Sequence, residues 1–342
     1  MFSDEFKDIF LNEKDPFKDI IGQDYAKDQL KSALLSNRHV ILLGAPGIGK
    51  TTLAKNVASL LPPIDVVLGC KYHCEPNKVI CPDCKSSDSH KITSIKGIQR
   101  FVRIQGSQDL TVEDLLGDIE PIKAMKYGPL SPEAFTPGKI FKANRGILFF
   151  DEINRCPEKL QNSLLQVLEE GKATIGSYDV DFEADFIFIG TMNIEDSSTE
   201  RLSWVFFDRF DTILMSYPED IGKEIEIVSL KGRSNGRIFP QKLLRTTIGF
   251  VRHLRESDKL SRKPSVRASL GLYERACANT LLKNRKDVTL EDVENAIISV
   301  LTHRIELKSA IKYLQRAEDF LRDEMQRFFD SDKPDNKSGD SL

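Results

Sequence analysis

The stretch Gly44-Ala-Pro-Gly-Ile-Gly-Lys-Thr51 narrows what this chain can fold into more than any other. It matches G-x-x-x-x-G-K-[ST] in full, and its flanks supply the context such a loop requires. Ahead of it, His39-Val-Ile-Leu-Leu43 is a short apolar run suited to a buried parallel strand. Behind it, Lys50 to Leu61 has helical spacing and stops at Pro62-Pro63. Glycines let the backbone curl so that several N–H groups point inward, and the helix N-terminus adds partial positive charge. A loop of this kind binds phosphate. Lys50 can reach the β- and γ-phosphates, and the Thr51 hydroxyl is placed to ligate Mg²⁺. The expected cradle comprises Gly44, Ala45, Pro46, Gly47, Ile48, Gly49, Lys50, Thr51 and Thr52.

Four further apolar runs read as strands: Phe101 to Ile104, Gly146 to Phe150, Asp185 to Gly190 and Asp211 to Met215. Between two of them a helix begins at Pro157, carries Leu160, Leu164, Val167 and Leu168 on one face, and stops at Gly171. Strands alternating with helices predict an α/β domain, a parallel sheet with helices on both faces. After Pro218 the strand signals fade. Helical patterns cover roughly Glu219–Lys231, Pro240–Glu256, Ser265–Leu282, Leu290–Thr302 and Glu306–Phe329, with Thr289 and Asp292 as a capping pair for the fourth. The predicted organisation is an N-terminal extension (1–16), an α/β domain (17–217), an all-helical domain (218–330) and a disordered polar tail (331–342). A Cys-rich insert occupies 68–90 and leads through a polar linker to about Lys96.

The second half of a phosphate site is an acidic residue at the end of a neighbouring strand. Ile147-Leu-Phe-Phe-Asp151-Glu152 supplies it: Asp151 to hold Mg²⁺ through water and Glu152 to polarise the attacking water as general base. The strand before Thr191-Met-Asn193 ends in an amide that could orient that water or sense the γ-phosphate; capping of the next turn is the equal alternative.

These motifs resemble those of the AAA+ ATPases, on the branch of MoxR and the magnesium-chelatase ATPase subunit. The resemblance is carried by Gly44–Thr51, Asp151 to Gln161, Gly190 to Asn193, Phe207-Asp-Arg-Phe210 and Pro264-Ser-Val-Arg-Ala-Ser269, and runs from about Phe17 to Leu307. It implies ATP and Mg²⁺ as ligands, a ring that is hexameric or nearly so, and a helical lid. It implies that Asn193 is a first sensor, Arg209 an arginine finger for a neighbour's γ-phosphate, and Arg267 a second sensor on the lid. Arg201, Arg262 and Arg304 are lesser candidates. It further implies a helix interrupted by an insert, matched by 117–145, and a β-hairpin at Lys172 to Asp185 around Gly176-Ser177. Members of this branch often act with a partner carrying a von Willebrand factor A domain or with a chelatase subunit.

Cys70-x3-Cys74-x6-Cys81-x2-Cys84 places four thiols close enough to surround one ion. Zinc favours tetrahedral Cys₄ geometry, and a closed ligand set implies a structural role. An iron–sulfur cluster and unliganded thiols are the alternatives. His73 and His90 could substitute for a cysteine but are expected at the surface, and Cys156 and Cys277 in ordinary packing.

A net charge of −3 gives no bulk attraction to nucleic acid or anionic membrane. No apolar run approaches the ~20 residues needed to span a bilayer, and Met1 to Lys18 lacks the features of a signal peptide, so a cytoplasmic protein is expected. The leading expectation is an ATP-hydrolysing motor that drives conformational change or metal or cofactor insertion in a partner. A true metal chelatase subunit is one alternative. A nucleic-acid motor of the MCM type is another, weakened by Asp179, Asp181, Glu183 and Asp185 in the hairpin against Lys172. An ATP-dependent switch without turnover is the last, and Glu152 argues against it.

Overall fold

The computed structural model describes residues 2–87, 89–128, 131–174, 181–193 and 202–331. Two compact units divide the chain: Met1–Gly44 with Gly49–Met215, and Ala45–Ile48 with Ser216–Leu342.

The first unit is built on five parallel strands: β1 (Val40–Leu43), β2 (Phe101–Gln105), β3 (Gly146–Asp151), β4 (Phe186–Met192) and β5 (Asp211–Leu214). Their spatial order is β5-β1-β4-β3-β2. Parallel pairing leaves helices to cover both faces, which is why the inner strands are continuous apolar runs. In β3, Ile147, Leu148, Phe149 and Phe150 are all fully buried. Edge strand β2 instead alternates: Ile104 is buried while Arg103 and Gln105 are exposed. Parallel register places every strand's C-terminal end on one edge of the sheet, so the loop after β1 and the acidic end of β3 converge there.

Helices α1 (Phe2–Asn12), α2 (Asp24–Leu35), α3 (Lys50–Leu60) and α4 (Glu158–Glu170) belong to this unit. The N-terminal extension is an integral part of it. Phe6 of α1 is fully buried, and Glu5 forms a two-pronged ion pair with Arg100 (2.9 and 3.2 Å), whose side chain is fully buried at the entrance to β2. Gly171 ends α4 in the left-handed conformation, as its position in the sequence predicts.

The stretch around the cysteines differs from a polar linker. Ile64–Val67 and Ile92–Ile95 pair antiparallel, so the Cys-rich insert is the loop at the end of a two-stranded ribbon. Only Val66 and Val67 of the ribbon are buried, too short an apolar signal to read as a strand in the sequence. In the later insert, Gly117–Ile119 pairs antiparallel with Phe135–Pro137. The expected hairpin pairs Lys172–Thr174 with Asp181–Glu183; its tip, including Gly176, Ser177 and Asp179, lies outside the described residues.

The second unit holds α5 (Ile221–Lys231), α6 (Gln241–Glu256), α7 (Val266–Leu282), α8 (Leu290–Leu301) and α9 (Ala317–Ser331) around one core that includes Val228, Ile248, Val251, Leu272, Ile297 and Leu321. Thr289 and Asp292 form a reciprocal capping box on α8. The single helix expected over Glu306–Phe329 is broken. Glu306–Leu307 pairs antiparallel with Leu260–Arg262, Ser309–Lys312 is one short turn, and α9 begins only at Ala317. The reason is burial with period two: Ile305 and Leu307 face the core while Glu306 between them is exposed. The expected tail beyond 331 lies outside the described residues.

Candidate active site

The loop between β1 and α3 uses glycine where the backbone demands it. Gly44, Gly47 and Gly49 all have positive φ, and Gly49 caps α3 in the left-handed region. Gly44 N–H donates to Met192 O at the end of β4 (3.2 Å), and Lys50 Nζ donates to Gly44 O at 2.5 Å. Lys50 and Thr51 open α3, so their backbone N–H groups belong to its unpaired first turn. Asn193 stands one residue past β4, at the same sheet edge.

The acidic pair is held by a network that no local motif shows. Thr191 Oγ donates to Asp151 Oδ1 (2.6 Å) and accepts the backbone N–H of Glu152 (2.9 Å). Arg103 donates to Asp151 Oδ2 at 2.6 Å. Gln105 Nε2 donates to Glu152 Oε2 at 2.9 Å, and Arg155 lies 3.4 Å from the same oxygen. Glu152 itself is in the left-handed region (φ 55°). Gly106 lets β2 end against this turn: its N–H donates to Asp151 O (2.7 Å), and a Cβ there would lie 2.1 Å from Glu152 O. Arg103, Gln105 and Gly106 were not singled out from the sequence. They lie on or just past another strand, 45 to 48 residues away, and only the parallel register of β2 with β3, which sets Gln105 opposite Asp151, brings them there.

The candidate arginines go to different places. Arg209 pairs with Glu169 of α4 and lies 4.0 Å from Asp208. It precedes β5, and β5 runs parallel to β1 with Asp211 opposite Val40. Arg209 is therefore at the N-terminal edge of the sheet, away from its own chain's cradle. Arg267 is in the second unit, on the first turn of α7, against Gly47 of the same unit. A Cβ on Gly47 would fall 2.8 Å from Arg267 Cγ. The loop before Arg267 is fastened from both sides. Arg255 donates to Pro264 O (2.7 Å) and to both oxygens of fully buried Glu224 (2.6 Å each), and Ser269 donates to Glu224. Arg262 and Arg304 donate to backbone carbonyls of their own unit, and Arg201 lies outside the described residues.

Cys70, Cys74, Cys81 and Cys84 gather with all four sulfurs within 4.8 Å of one another. Backbone N–H groups of Ile80 and Cys81 donate to Cys74 Sγ (3.3 and 3.4 Å), Cys84 N–H to Cys81 Sγ (3.4 Å) and Tyr72 N–H to Cys70 Sγ (3.4 Å). Such bonds stabilise thiolate sulfur. Hydrogen bonds from Cys74 and Cys81 hold the Cys70 thiol far below its usual range. Contact with Cys70 pushes Cys81 far up, and burial pushes Cys84 up to about 12. Four sulfurs this close cannot all carry charge without a cation, so the donor set fits a thiophilic metal ion. His73 and His90 are part-buried rather than exposed, and neither joins the sulfurs; His73 Nδ1 lies 3.1 Å from Asn144 O. Cys156 and Cys277 are fully buried, each pushed up to about 11 by burial, consistent with packing.

Three family models match successive parts of the chain: "Magnesium chelatase, subunit ChlI" at residues 16–70, "AAA domain (dynein-related subfamily)" at 89–210 and "AAA lid domain" at 253–324. A magnesium-chelatase subunit ChlI homolog of Methanocaldococcus jannaschii is 27% identical over 325 residues, covering 86% of each chain. The magnesium-chelatase 38 kDa subunit of Chlorobaculum parvum is 27% identical over 320 residues, covering 85% of this chain and 91% of that one. Among solved structures, a chain of the magnesium-chelatase complex between BchI and BchD superposes with a TM-score of 0.50 at 22% identity, covering 87% of this chain and 98% of that one; it bears on the fold alone. No helix of the described residues is long and apolar enough to cross a membrane. With the strand order, the phosphate loop and the acidic strand end in place, the chain is an AAA+ ATPase by fold and motif, and the relatives it is similar to are magnesium-chelatase ATPase subunits.

Proposed function

We propose that this chain is one subunit of an ATP-driven ring, hexameric as its branch implies, that changes the conformation of a partner protein or drives metal or cofactor insertion into it. The observation that carries the proposal is the convergence of Lys50, Asp151, Glu152 and Asn193 on one sheet edge, with Arg209 at the other. Lys50 and the N–H groups of the loop bind the phosphates. Thr51 and Asp151 hold Mg²⁺, which when bound neutralises charge on the phosphate oxygens. Glu152 takes a proton from the attacking water, and Asn193 orients that water or senses the γ-phosphate. Arg209, turned away from its own cradle, serves a neighbour's, and Arg267 couples the lid to the nucleotide. Arg209 and the cradle thus describe half-sites that adjoining copies complete.

The cysteine cluster is read as a structural zinc site, because four thiol ligands leave no open position for chemistry. The partner is read as a von Willebrand factor A protein or a chelatase-type subunit, in a cytoplasmic setting. Relatives named as magnesium-chelatase subunits keep true chelatase work as the second reading. Transport of nucleic acid is not favoured: the described hairpin strands carry Asp181 and Glu183 against Lys172. Single-turnover ATP hydrolysis tests the central claim. Glu152→Gln should slow turnover by roughly 10²–10⁴ while ATP still binds. Equal rates for the variant and the parent chain would refute it.

A further inference from the structure

Arg103 touches one half of the acidic pair directly and reaches the other through Gln105. Its Nη2 donates to Asp151 Oδ2 at 2.6 Å and to Gln105 Oε1 at 3.2 Å. Gln105 then donates from Nε2 to Glu152 Oε2 at 2.9 Å. The order of these contacts matters. A glutamine amide can present either its oxygen or its NH₂ by turning over. Arginine only donates, so a guanidinium beside Gln105 accepts no other orientation than oxygen toward Arg103. The NH₂ is then left facing Glu152, where it donates to the carboxylate. The contacts close a circuit: Arg103 to Asp151, Asp151 to the Thr191 hydroxyl, Thr191 to the N–H of Glu152, and the Glu152 carboxylate back through Gln105 to Arg103. Two of the links, Arg103 to Asp151 and Gln105 to Glu152, join the acidic pair to β2, and Thr191 of β4 closes the circuit from the other side.

We propose that Arg103 is a positioning residue for ATP hydrolysis, which turns the Gln105 amide toward Glu152 and sets the charge beside Asp151. The proposal rests on reading Asp151 as the Mg²⁺ carboxylate and Glu152 as the base. The plain alternative is a half-exposed surface salt bridge, since the Arg103 side chain is 49% exposed. Such pairs contribute little to stability, and that difference makes the two separable.

The test compares Arg103→Met and Arg103→Lys with the parent chain in three measurements. Thermal melting should move by less than about 2 °C in both. The turnover number at saturating Mg·ATP should fall roughly tenfold to a hundredfold in Arg103→Met with KM for ATP little changed, as expected when a reacting group is misplaced by a fraction of an ångström. Metal affinity is read without turnover, by electron paramagnetic resonance titration of Mn²⁺ with ATP in a Glu152→Gln background. Loss of one positive charge beside Asp151 should tighten Mn²⁺ roughly threefold to tenfold in Arg103→Met, and Arg103→Lys should restore the parent value. Parent-like turnover and Mn²⁺ affinity in Arg103→Met, alongside a dead Glu152→Gln, would overturn the proposal and leave the catalytic reading standing. If Glu152→Gln itself turns over normally, the catalytic reading fails and the proposal with it. Should Arg103→Met fail to fold, Arg103→Gln decides: its amide can accept as well as donate and so no longer fixes Gln105, and a parent-like kcat counts against the amide-orienting role while a reduced kcat supports it.

Discussion

Glu5→Ala should destabilise the first unit far more than its place in an N-terminal extension suggests. Arg100 has no exposed side-chain surface, and Glu5 is its acidic partner among the described residues. Two of its donors reach the Glu5 carboxylate, and two more reach the carbonyls of Pro62 and Arg145. Removing one member of a buried pair leaves an uncompensated charge and costs about 3–5 kcal/mol. Glu5 is 27% exposed, so water reaches the vacated place and the expected cost falls to about 2–3 kcal/mol. For a unit of this size each kcal/mol lowers Tm by about 2–4 °C, so a drop of roughly 5–10 °C is expected in the transition of that unit, followed by calorimetry. Hydrogen exchange should quicken first in α1 and at the start of β2, because Arg100 directly precedes Phe101. Replacing both partners with apolar residues, Glu5→Leu with Arg100→Met, should recover most of the loss. A Glu5→Ala cost below about 1 kcal/mol, or a double variant worse than the single, would show that the pair does not carry this load.

Burial holds the His39 pKa at about 4, with the Arg38 charge adding and a hydrogen bond to the Leu168 backbone opposing. Phe188 N–H donates to His39 Nδ1, so the neutral ring keeps its proton on Nε2. The unfolded chain takes up a proton near pH 6.5 and the folded chain does not, so stability is full above that pH. It should decline by up to about 3 kcal/mol as pH falls from 6.5 to 4, and His39→Gln should flatten that slope in melts across the range. For the cysteine cluster, protein purified without added metal should carry about one zinc per chain by elemental analysis, and Cys81→Ser should lose it with the insert unfolding locally. Metal-free protein with an unchanged fold would remove the zinc reading. Arg209→Ala should abolish hydrolysis by the assembled protein while leaving ATP affinity of the isolated subunit nearly intact; equal loss of binding in the monomer would place the arginine's action within its own chain. Trp204, the chain's only tryptophan, is 80% exposed five residues before Arg209, so ATP-dependent closure of a neighbour over that face should blue-shift its emission. Unshifted emission in protein shown by light scattering to be a ring would put the interface elsewhere.

Sequence alone carried what is local. The phosphate loop, its strand and its helix are contiguous, and their glycines, apolar run and stop signal are each a short-range demand of backbone geometry. The same holds for the Gly171 stop, the Thr289–Asp292 capping box and the spacing of the four cysteines, whose ligand atoms are at most a few turns apart along the chain. The resemblance added the roles assigned to Arg209 and Arg267, which no spacing rule contains.

Tertiary structure alone decided what depends on which strands become neighbours. Arg103 and Gln105 read as ordinary polar positions on an edge strand until β2 pairs in parallel with β3 and sets them beside Asp151 and Glu152. Arg100 is paired in the interior only because α1 delivers Glu5 across 95 residues. Glu306 and Leu307 read as helix until Leu260–Arg262 offers a strand edge and the core accepts Ile305 and Leu307 with period two. The common reason is that a short stretch of chain encodes its own backbone preferences, whereas a polar side chain's partner is set by burial and register between segments that the sequence keeps far apart.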